Sequence, residues 1–502
     1  MRLLPVDPQT LLMLLTALPL VGLLLWVFAR HCGIAIGLLL AAPVWSVAVD
    51  GQTASLDLGV RLYPADILTA CALCVAAARL PRRDLWARSG LLPVLVLVAL
   101  AGWSTVRGVA AFGVEAAGND ARVYFWHFLA FALYVATLPL SAPLSRVVPR
   151  AWLASAAAYV LLSVVGWLGR GLHSLTTHVA VDGVTVDPRP VPAGAALVIA
   201  QGAMLLLYPP SHGRSGTASP EPGTSSEPGI RKAARRGVLA VPAAFVLLLL
   251  VALLQHRTVW VGAAAMAFGW WLLRPARAGQ RMTSAIVGAV VLSFAALLYS
   301  IGAFGSIGAS LTDSFNEAQG NRSSFVWRVL GWQELLSAAR TPTQWLLGSP
   351  FGSGYERSIA GGLVTVSPHD YYLHLVLRLG LVGLVALLAL YVVVWRRLGR
   401  GGEGNLALRL VIIGQLVLFV AYSAPPEQAV LLGWCLWQAR ASETDGAHRR
   451  SLAGAPAPPP GPVPGSAAGV PGPAARPGGG AVGAAPAPAG ARWPDGHGRH
   501  GA

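Results

Sequence analysis

A histidine beside the start of an apolar helix is the residue of this chain best suited to proton transfer. His369 and Asp370 end a polar loop, and a membrane-length apolar run follows in VTVSPHDYYLHLVLRLGLVG, residues 364–383. Ser367 and Pro368 fit a helix cap and first position, which would place His369 in the first turn and Asp370 near its capping-box position. The helix dipole disfavours a protonated imidazole there, and a neutral imidazole suits a general base. The alternative is a histidine that is merely solvated at the interface.

Two arginines in or beside apolar segments are candidates for anion binding. Arg257 stands in LLQHRTVWVG, between two apolar spans with almost no polar loop between them. An arginine at such a place faces a cavity or a partner, or else extends to lipid phosphate. Arg378 follows His369 by nine residues, roughly 13 Å farther along the helix. It would join an anionic-ligand pocket or pair within the helix bundle.

The polar region before His369 contains a helix signal of its own. Apolar residues recur there at helical spacing and predict an amphipathic helix on the membrane surface: Phe325, Val329, Trp332 and Leu336. Arg328 precedes Trp332 by four residues, so the two side chains are neighbours on that helix.

A glycine-rich run, GSPFGSGYE, follows at residues 348–356. Glycines such as Gly352 and Gly354 permit tight turns and a close approach of backbone to a ligand. The loop has no compact set of His, Asp and Glu ligands, and the chain has no nucleophile elbow, phosphate loop or dinucleotide fingerprint. We therefore predict no metal and no cofactor.

Hydropathy sets the elements that must position these residues. The 502 residues have a mean hydropathy of +0.60 and only 12% charged residues, against about 25% in soluble domains. Thirteen candidate spans lie between residues 10 and 439, so we predict an all-α, polytopic helical membrane protein with about 12–13 transmembrane helices. Because the basic residues fall largely in short loops between spans, the net charge of +16 indicates membrane orientation and not nucleic-acid binding.

The basic loops also predict which side each segment faces. A multispanning domain would cover 1–440, with a disordered cytoplasmic loop at 209–237 and a large extracytoplasmic catalytic loop at 304–370. Residues 441–502, rich in Pro, Ala and Gly, would form a disordered cytoplasmic tail. This arrangement predicts a multi-pass protein of the cytoplasmic membrane. Thirteen spans would place the amino terminus outside, and twelve would place it inside.

Three motifs resemble the O-antigen ligase and polymerase family of bacterial envelope enzymes. HRTVW is similar to the family's Thr/Ser-Arg motif and places its arginine on Arg257; RVLGW is similar to its Arg-then-aromatic motif and places it on Arg328, with Arg322 as a weaker candidate. HDYYLHLVLRLGLVG is similar to the family's His pattern and matches His369, Leu373, Gly380 and Gly383. The chain departs from the family at Asp370, where Asn or Ser is usual, and at Arg378, where many members have Glu.

The resemblance implies an enzyme that moves a glycan from a polyprenyl pyrophosphate carrier to an acceptor hydroxyl at the outer face of the cytoplasmic membrane. His369 would be the general base, and Arg257 and Arg328 would stabilise the leaving pyrophosphate. A single displacement without a covalent intermediate implies inversion at the anomeric carbon, and no metal is expected. The residues expected to bind substrate are Arg322, Arg378, Trp332, Gly352, Gly354, Asp370 and Tyr372.

The expected partners are the carrier-linked glycan donor, a glycan or lipid acceptor, and membrane lipids. Two alternatives remain at this stage. A repeat-unit polymerase of the same family would join units on one carrier, whereas a ligase transfers a finished polymer. A lipid-linked glycan transporter, of a different class, would account for the spans and arginines but would place its site near the bilayer midplane.

Overall fold

The computed structural model describes most of the membrane region of the chain. Its described ranges are 8–49, 55–57, 61–81, 90–170, 179–181, 184–186, 189–208, 227–274, 279–283, 324–359, 362–400 and 402–453, with single positions 285, 286, 289 and 293. Internal contacts divide the chain into units 1–449 and 450–502, and the second is described only over 450–453. Arg322, residues 209–226, most of the predicted span 284–303 and most of the predicted tail lie outside the described residues.

Helices make up nearly all of the described residues, which confirms the predicted all-α class. The helices are α1 Pro8–Arg30, α2 Cys32–Ala48, α3 Pro64–Arg79, α4 Leu92–Ala121, α5 His127–Ala136, α6 Leu144–Arg170, α7 Ala193–Leu207, α8 Glu227–Leu253, α9 Arg257–Leu273, α10 Ser324–Ser337, α11 Pro342–Leu347, α12 Tyr371–Arg400, α13 Leu406–Leu418 and α14 Pro426–Ala453. One π-helical segment, Arg122–Trp126, joins α4 to α5, and a 3₁₀ turn, Gly402–Asn405, precedes α13.

Among the described residues, three short antiparallel hairpins lie in the connections between helices. They are β1 Leu56–Asp57 with β2 Arg61–Leu62, β3 Val179–Val181 with β4 Val184–Val186, and β5 Arg357–Ile359 with β6 Gly362–Val364. In the last hairpin Arg357 pairs with Val364 and Ile359 with Gly362. This hairpin leads directly into the His369 segment.

Several helices are long and apolar enough to cross a membrane. Among the described residues three pass on length and composition: Leu92–Ala121, Leu144–Gly169 and Tyr371–Arg400. Helices α1 and α2, predicted as separate spans at 10–28 and 33–50, pass only as a pair bent by 118°. Large apolar side chains point outward on these helices, such as Leu168 at 82% exposure and Trp45 at 62%. A polytopic membrane protein is confirmed, while the total of 12–13 spans stays a prediction.

Helix α12 is broken by a sharp bend at Gly380. This glycine has φ 68° and ψ −171°, outside the helical region. Tyr371 and Tyr391 both lie against the Phe419 ring, at centroid distances of 5.0 and 6.4 Å. In a straight helix two residues twenty positions apart would be separated by about 30 Å. The segments 371–379 and 381–400 therefore fold toward each other, a bend within the predicted apolar span that its hydropathy does not indicate.

Buried hydrogen bonds between polar side chains, together with glycines at close contacts, hold the central helices of the bundle together. Gln201 of α7 donates to the Gln428 side chain at 2.9 Å, and Gln415 of α13 donates to the Gln428 carbonyl at 2.7 Å. Between α9 and α13 a Cβ on Gly262 would lie 3.7 Å from the Gly414 carbonyl oxygen. Small residues and buried hydrogen bonds of this kind hold membrane helices together where no hydrophobic driving force acts between them.

Candidate active site

The His369 segment lies just outside the helix that the sequence placed it in. Helix α12 begins at Tyr371, and Asp370 is its N-cap, because the Asp370 carboxylate accepts a hydrogen bond from the Leu373 amide at 3.0 Å. The predicted cap at Ser367 is wrong, since an aspartate three residues before the third helical position satisfies that amide directly. His369 therefore precedes the helix and is exposed, while Asp370 is buried.

The start of α12 is fastened to the end of α13. The Tyr371 amide donates to the Phe419 carbonyl at 2.9 Å, and the Tyr372 hydroxyl donates to the Leu416 carbonyl at 2.9 Å. These carbonyls belong to the last turn of α13 and its exit, which a helix end leaves without partners of its own. Tyr372 thus anchors the His369 segment to the last turn of α13, and Tyr371 anchors it to the loop at 419–425, between α13 and α14.

Arg328 reaches the same loop from α10. Its Nη1 donates to the Ala421 carbonyl at 3.2 Å, and its guanidinium lies 5.3 Å from the centre of the Tyr422 ring. Its positive charge also helps to lower the pKa of His369. Arg328 and the helix start directly after His369 therefore contact the same 419–425 loop.

Arg257 is the first residue of α9, which runs antiparallel to α13. Gly262 lies against Gly414, so the start of α9 is at the end of α13. The neighbouring His256 forms a hydrogen bond from Nε2 to the Val191 carbonyl oxygen at 2.8 Å, and Gly194, three residues on, packs against Pro425 of the loop. Arg257 thus lies at the same end of the bundle as Arg328 and His369.

The local field favours a neutral imidazole at position 369. Desolvation by the surrounding protein lowers the pKa of His369, and the positive charges of Arg328 and Arg357 lower it further. Burial raises the pKa of Asp370 to about 6, although backbone amides from Leu373 and Tyr372 oppose the shift. Near neutral pH the segment therefore presents an uncharged imidazole next to a carboxylate that caps a helix.

His369, Arg257 and Arg328 form what we call the His369 cluster. Arg357 also belongs to this cluster, and the sequence analysis missed it. It is 5% exposed, and its Nη1 donates to the carbonyls of Tyr355 and Val366, at 3.0 and 2.6 Å. Its guanidinium lies 5.8 Å from the centre of the Trp327 ring, and burial lowers its pKa. The only sequence signal was a basic residue after the glycine-rich run, because the hairpin that buries it is not visible as a pattern.

Arg378 is turned toward the protein in a buried ion pair. Its Nε lies 2.7 Å from Asp120 Oδ2 and donates to the Tyr355 hydroxyl at 3.0 Å, and its Nη2 donates to the Gly354 carbonyl at 2.9 Å. It also bonds the Ser353 hydroxyl. These contacts fasten the glycine-rich turn to α12, and a direct substrate contact by Arg378 stays a prediction. Asp120 lies on α4, far along the chain, and the sequence analysis missed it.

The glycines and the tryptophan of the loop have structural contacts. Gly352 has φ 85°, and its amide donates to Asp120 Oδ2 at 2.9 Å. Gly354 has φ 76° and offers its carbonyl to Arg378. Trp332 packs on a small apolar cluster made of Leu335, Tyr355, Leu373 and Leu377. Their predicted contacts with substrate stay predictions.

The comparisons with known proteins agree with this arrangement. Residues 242–388 match the family model described as O-antigen ligase, a stretch that includes Arg257, Arg328, His369 and Arg378. A comparison with curated proteins found no match. Residues 242–388 are therefore similar to the O-antigen ligase family, and the chain is a polytopic membrane protein whose matched segment contains the arginine and histidine cluster.

Proposed function

We propose that this protein transfers a glycan from a polyprenyl pyrophosphate carrier to an acceptor hydroxyl at the outer face of the cytoplasmic membrane. The family supports glycan processing on lipid-linked substrates. The observation that carries the finer proposal is the joint contact of the Arg328 side chain and the α12 start with the 419–425 loop, which puts a cation beside His369.

His369 is suited to remove the proton from the acceptor. It stands before the helix on an exposed segment, where an acceptor hydroxyl can approach, and its lowered pKa keeps the imidazole neutral at physiological pH. In the transfer the acceptor oxygen forms a bond to the anomeric carbon while the carbon–oxygen bond to phosphate breaks. The proton passes to His369, and the bonding electron pair leaves with the pyrophosphate.

The end of the bundle around the 419–425 loop suits a pyrophosphate leaving group. Three arginines lie there with their charges, Arg257, Arg328 and Arg357. Helices α7, α9, α12 and α14 all begin around this loop, so the positive ends of their dipoles point toward the same region. Because the developing negative charge needs stabilisation only as the bond breaks, fixed cations and dipoles lower the barrier without external energy.

The shortness of two helices supports a position of this region near the depth of the lipid headgroups. Helix α13 has 13 residues and α7 has 15, about 20 and 22 Å of rise, whereas a full span needs about 20 residues. The 419–425 loop would therefore lie below the outer surface, at the floor of a depression between longer helices. A carrier with its tail in the bilayer reaches that floor with its phosphates, and single displacement inverts the anomeric carbon.

A transfer assay with the whole protein tests the proposal. Wild type in nanodiscs is mixed with lipid-linked glycan extracted from its own source, without ATP or added metal, and released polyprenyl pyrophosphate is measured. We expect His369→Ala to lower release at least 100-fold, since general-base catalysis contributes about 10²–10⁴. His31→Ala, also a histidine directly before a helix, is the matched control and should match wild type.

The length of the product distinguishes a ligase from a repeat-unit polymerase. A ligase yields full-length polymer on a new acceptor, whereas a polymerase yields longer glycan on the carrier. Robust release by the His369→Ala protein would contradict the proposed base. No release by wild type, with carrier shown to be present, would favour transport of the lipid-linked glycan.

A further inference from the structure

A polar cavity lies apart from the His369 cluster, under the glycine-rich turn. It has a volume of about 250 Å³ and lies between the end of α10, residues 338–340, the glycine-rich turn and the first segment of α12. Leu335 and Leu377 form its apolar side, and Arg340, Ser349, Ser353 and Glu356 supply polar groups. Ligand pockets commonly have about 300–1,000 Å³, so this one fits a single small ring.

The polar groups of the cavity offer donors and acceptors together. Arg340 stacks on Trp345 with its guanidinium 5.3 Å from the ring centre and donates through Nη2 to the Leu335 carbonyl. Its Nη1 is buried and has no hydrogen-bond partner among the described residues. A buried donor left in this state costs free energy that a bound acceptor would recover.

The floor of the cavity is held rigid by the Asp120–Arg378 pair. Arg378 is 2% exposed and binds the Gly354 carbonyl, the Tyr355 hydroxyl and the Ser353 hydroxyl, so the turn keeps one shape. A site held in place before its ligand arrives binds more tightly, because less ordering is needed on binding.

The charges around the cavity are balanced. Arg340 and Arg378 carry the positive charges, and Glu356 at the cavity and Asp120 behind the turn carry the negative ones. No excess charge selects an anion. The cavity presents hydrogen-bond donors, acceptors and hydroxyl groups beside an apolar wall. Such a lining suits a ligand ring whose own hydroxyl groups both donate and accept hydrogen bonds.

The cavity and the His369 cluster lie along the same helical segment. Leu377 is six residues after Tyr371, about 9 Å farther along α12. Leu335, Leu373 and Leu377 form a buried apolar cluster with Tyr355, and Trp332 packs against it. The cavity is therefore joined to the start of α12 through packed side chains.

We infer that this cavity is a subsite for one neutral sugar residue of the glycan, next to but separate from the reacting residue. The inference rests on the proposed transfer reaction for its place in the cycle. Arg340 Nη1 and the Glu356 carboxylate contact the hydroxyls of that sugar, and the Leu335–Leu377 side receives its apolar face.

Binding without turnover tests the subsite directly. The probe is the oligosaccharide that mild acid releases from the lipid-linked glycan of the same source, and equilibrium dialysis with His369→Ala protein in nanodiscs gives its Kd. We expect Arg340→Met and Glu356→Gln, each added to this protein, to weaken binding at least 10-fold and 3-fold. Arg409→Met, a half-buried arginine stacked on Trp395 at 4.4 Å, is the matched control and should leave Kd unchanged.

Each outcome has a defined meaning. Equal affinity in both cavity variants overturns the subsite, and loss in Arg340→Met alone overturns the sugar assignment in favour of an anion. In the transfer assay with proteins that retain His369, a raised KM for donor or for acceptor, with kcat unchanged, assigns the sugar to that substrate. If wild type transfers nothing while binding still depends on Arg340, the subsite stands and the proposed reaction falls.

Discussion

At the scale of single residues, His369 depends on arginines that come from separate parts of the chain. Arg328 lies on α10 and Arg357 on the β5–β6 hairpin, and both lower the pKa of His369 after desolvation has done so. A base whose pKa is lowered stays neutral to more acidic pH, though it becomes a weaker proton acceptor. In the proposed reaction the arginines would stabilise the leaving group and also set the acid limit of activity.

Removal of Arg357 should shift the pH dependence of transfer. With one positive charge fewer, protonation of His369 becomes easier and its pKa rises, so activity is lost at a higher pH as the solution is acidified. We expect the acid limb of kcat against pH to move to higher pH in Arg357→Met, with kcat lower about 10-fold from weaker charge stabilisation. Transfer rates between pH 4.5 and 8 measure both effects.

Arg409→Met is again the control for the loss of a half-buried arginine, and its acid limb should coincide with that of wild type. An unchanged limb in Arg357→Met, together with an unchanged kcat, would contradict the assignment of Arg357 to the cluster. A lower kcat with no shift would show that Arg357 positions the hairpin without acting on the His369 charge.

The sequence located three members of this cluster and missed two residues that support it. Arg257, Arg328 and His369 were identifiable because each stands at the edge of an apolar run or on an amphipathic stripe. Asp120 binds the Gly352 amide across 232 positions of sequence. Arg357 is buried by a three-residue hairpin. No local spacing encodes such partners, because the fold brings them together.

At the scale of elements, the bend at Gly380 decides where His369 lies. The backbone of α11 approaches so closely that a Cβ on Gly380 would lie 2.1 Å from the Leu346 carbonyl oxygen. The matching contact is at Gly348, where a Cβ would lie 2.2 Å from the Arg378 carbonyl carbon. Two glycines with positive φ thus allow α11 and α12 to touch backbone to backbone. Periodicity showed an apolar helix here and could not show that it folds back on itself.

Substitution of Gly380 by alanine should therefore destabilise the protein. A left-handed φ costs about 1–2 kcal/mol for a side chain, and overpacking adds about 1–3 kcal/mol, which together give about 2–5 kcal/mol. The midpoint of thermal unfolding in detergent, followed by tryptophan fluorescence, measures the loss. Gly399→Ala in the same helix is the control, because the Cβ there meets Arg409 only at 3.8 Å. Equal midpoints for both variants would contradict the bend.

At the scale of the whole molecule, the proposed function requires that the cluster and the basic loops lie on opposite sides of the membrane. Arg400 ends the second segment of α12, and the His369 segment is at the other side of the bend. A cluster that binds lipid-linked glycan at the outer face of the membrane requires the 304–370 loop to face outward. The basic loops predict this orientation by the positive-inside rule. The distribution of arginines along the chain thus predicts the direction of the reaction as well as the topology.

Cysteine labelling in oriented vesicles checks this topology. Cys32, Cys71, Cys74 and Cys435 are first replaced by alanine. Single cysteines are then introduced by Ser358→Cys, at an exposed position of the β5–β6 hairpin, and by Arg400→Cys, whose side chain is 72% exposed. A maleimide that cannot cross membranes should label only the first in right-side-out vesicles and only the second in inside-out vesicles. Detergent, which opens both kinds of vesicle, should allow both to react. The opposite pattern would place the His369 cluster in the cytoplasm, where an outward-facing transfer reaction could not take place.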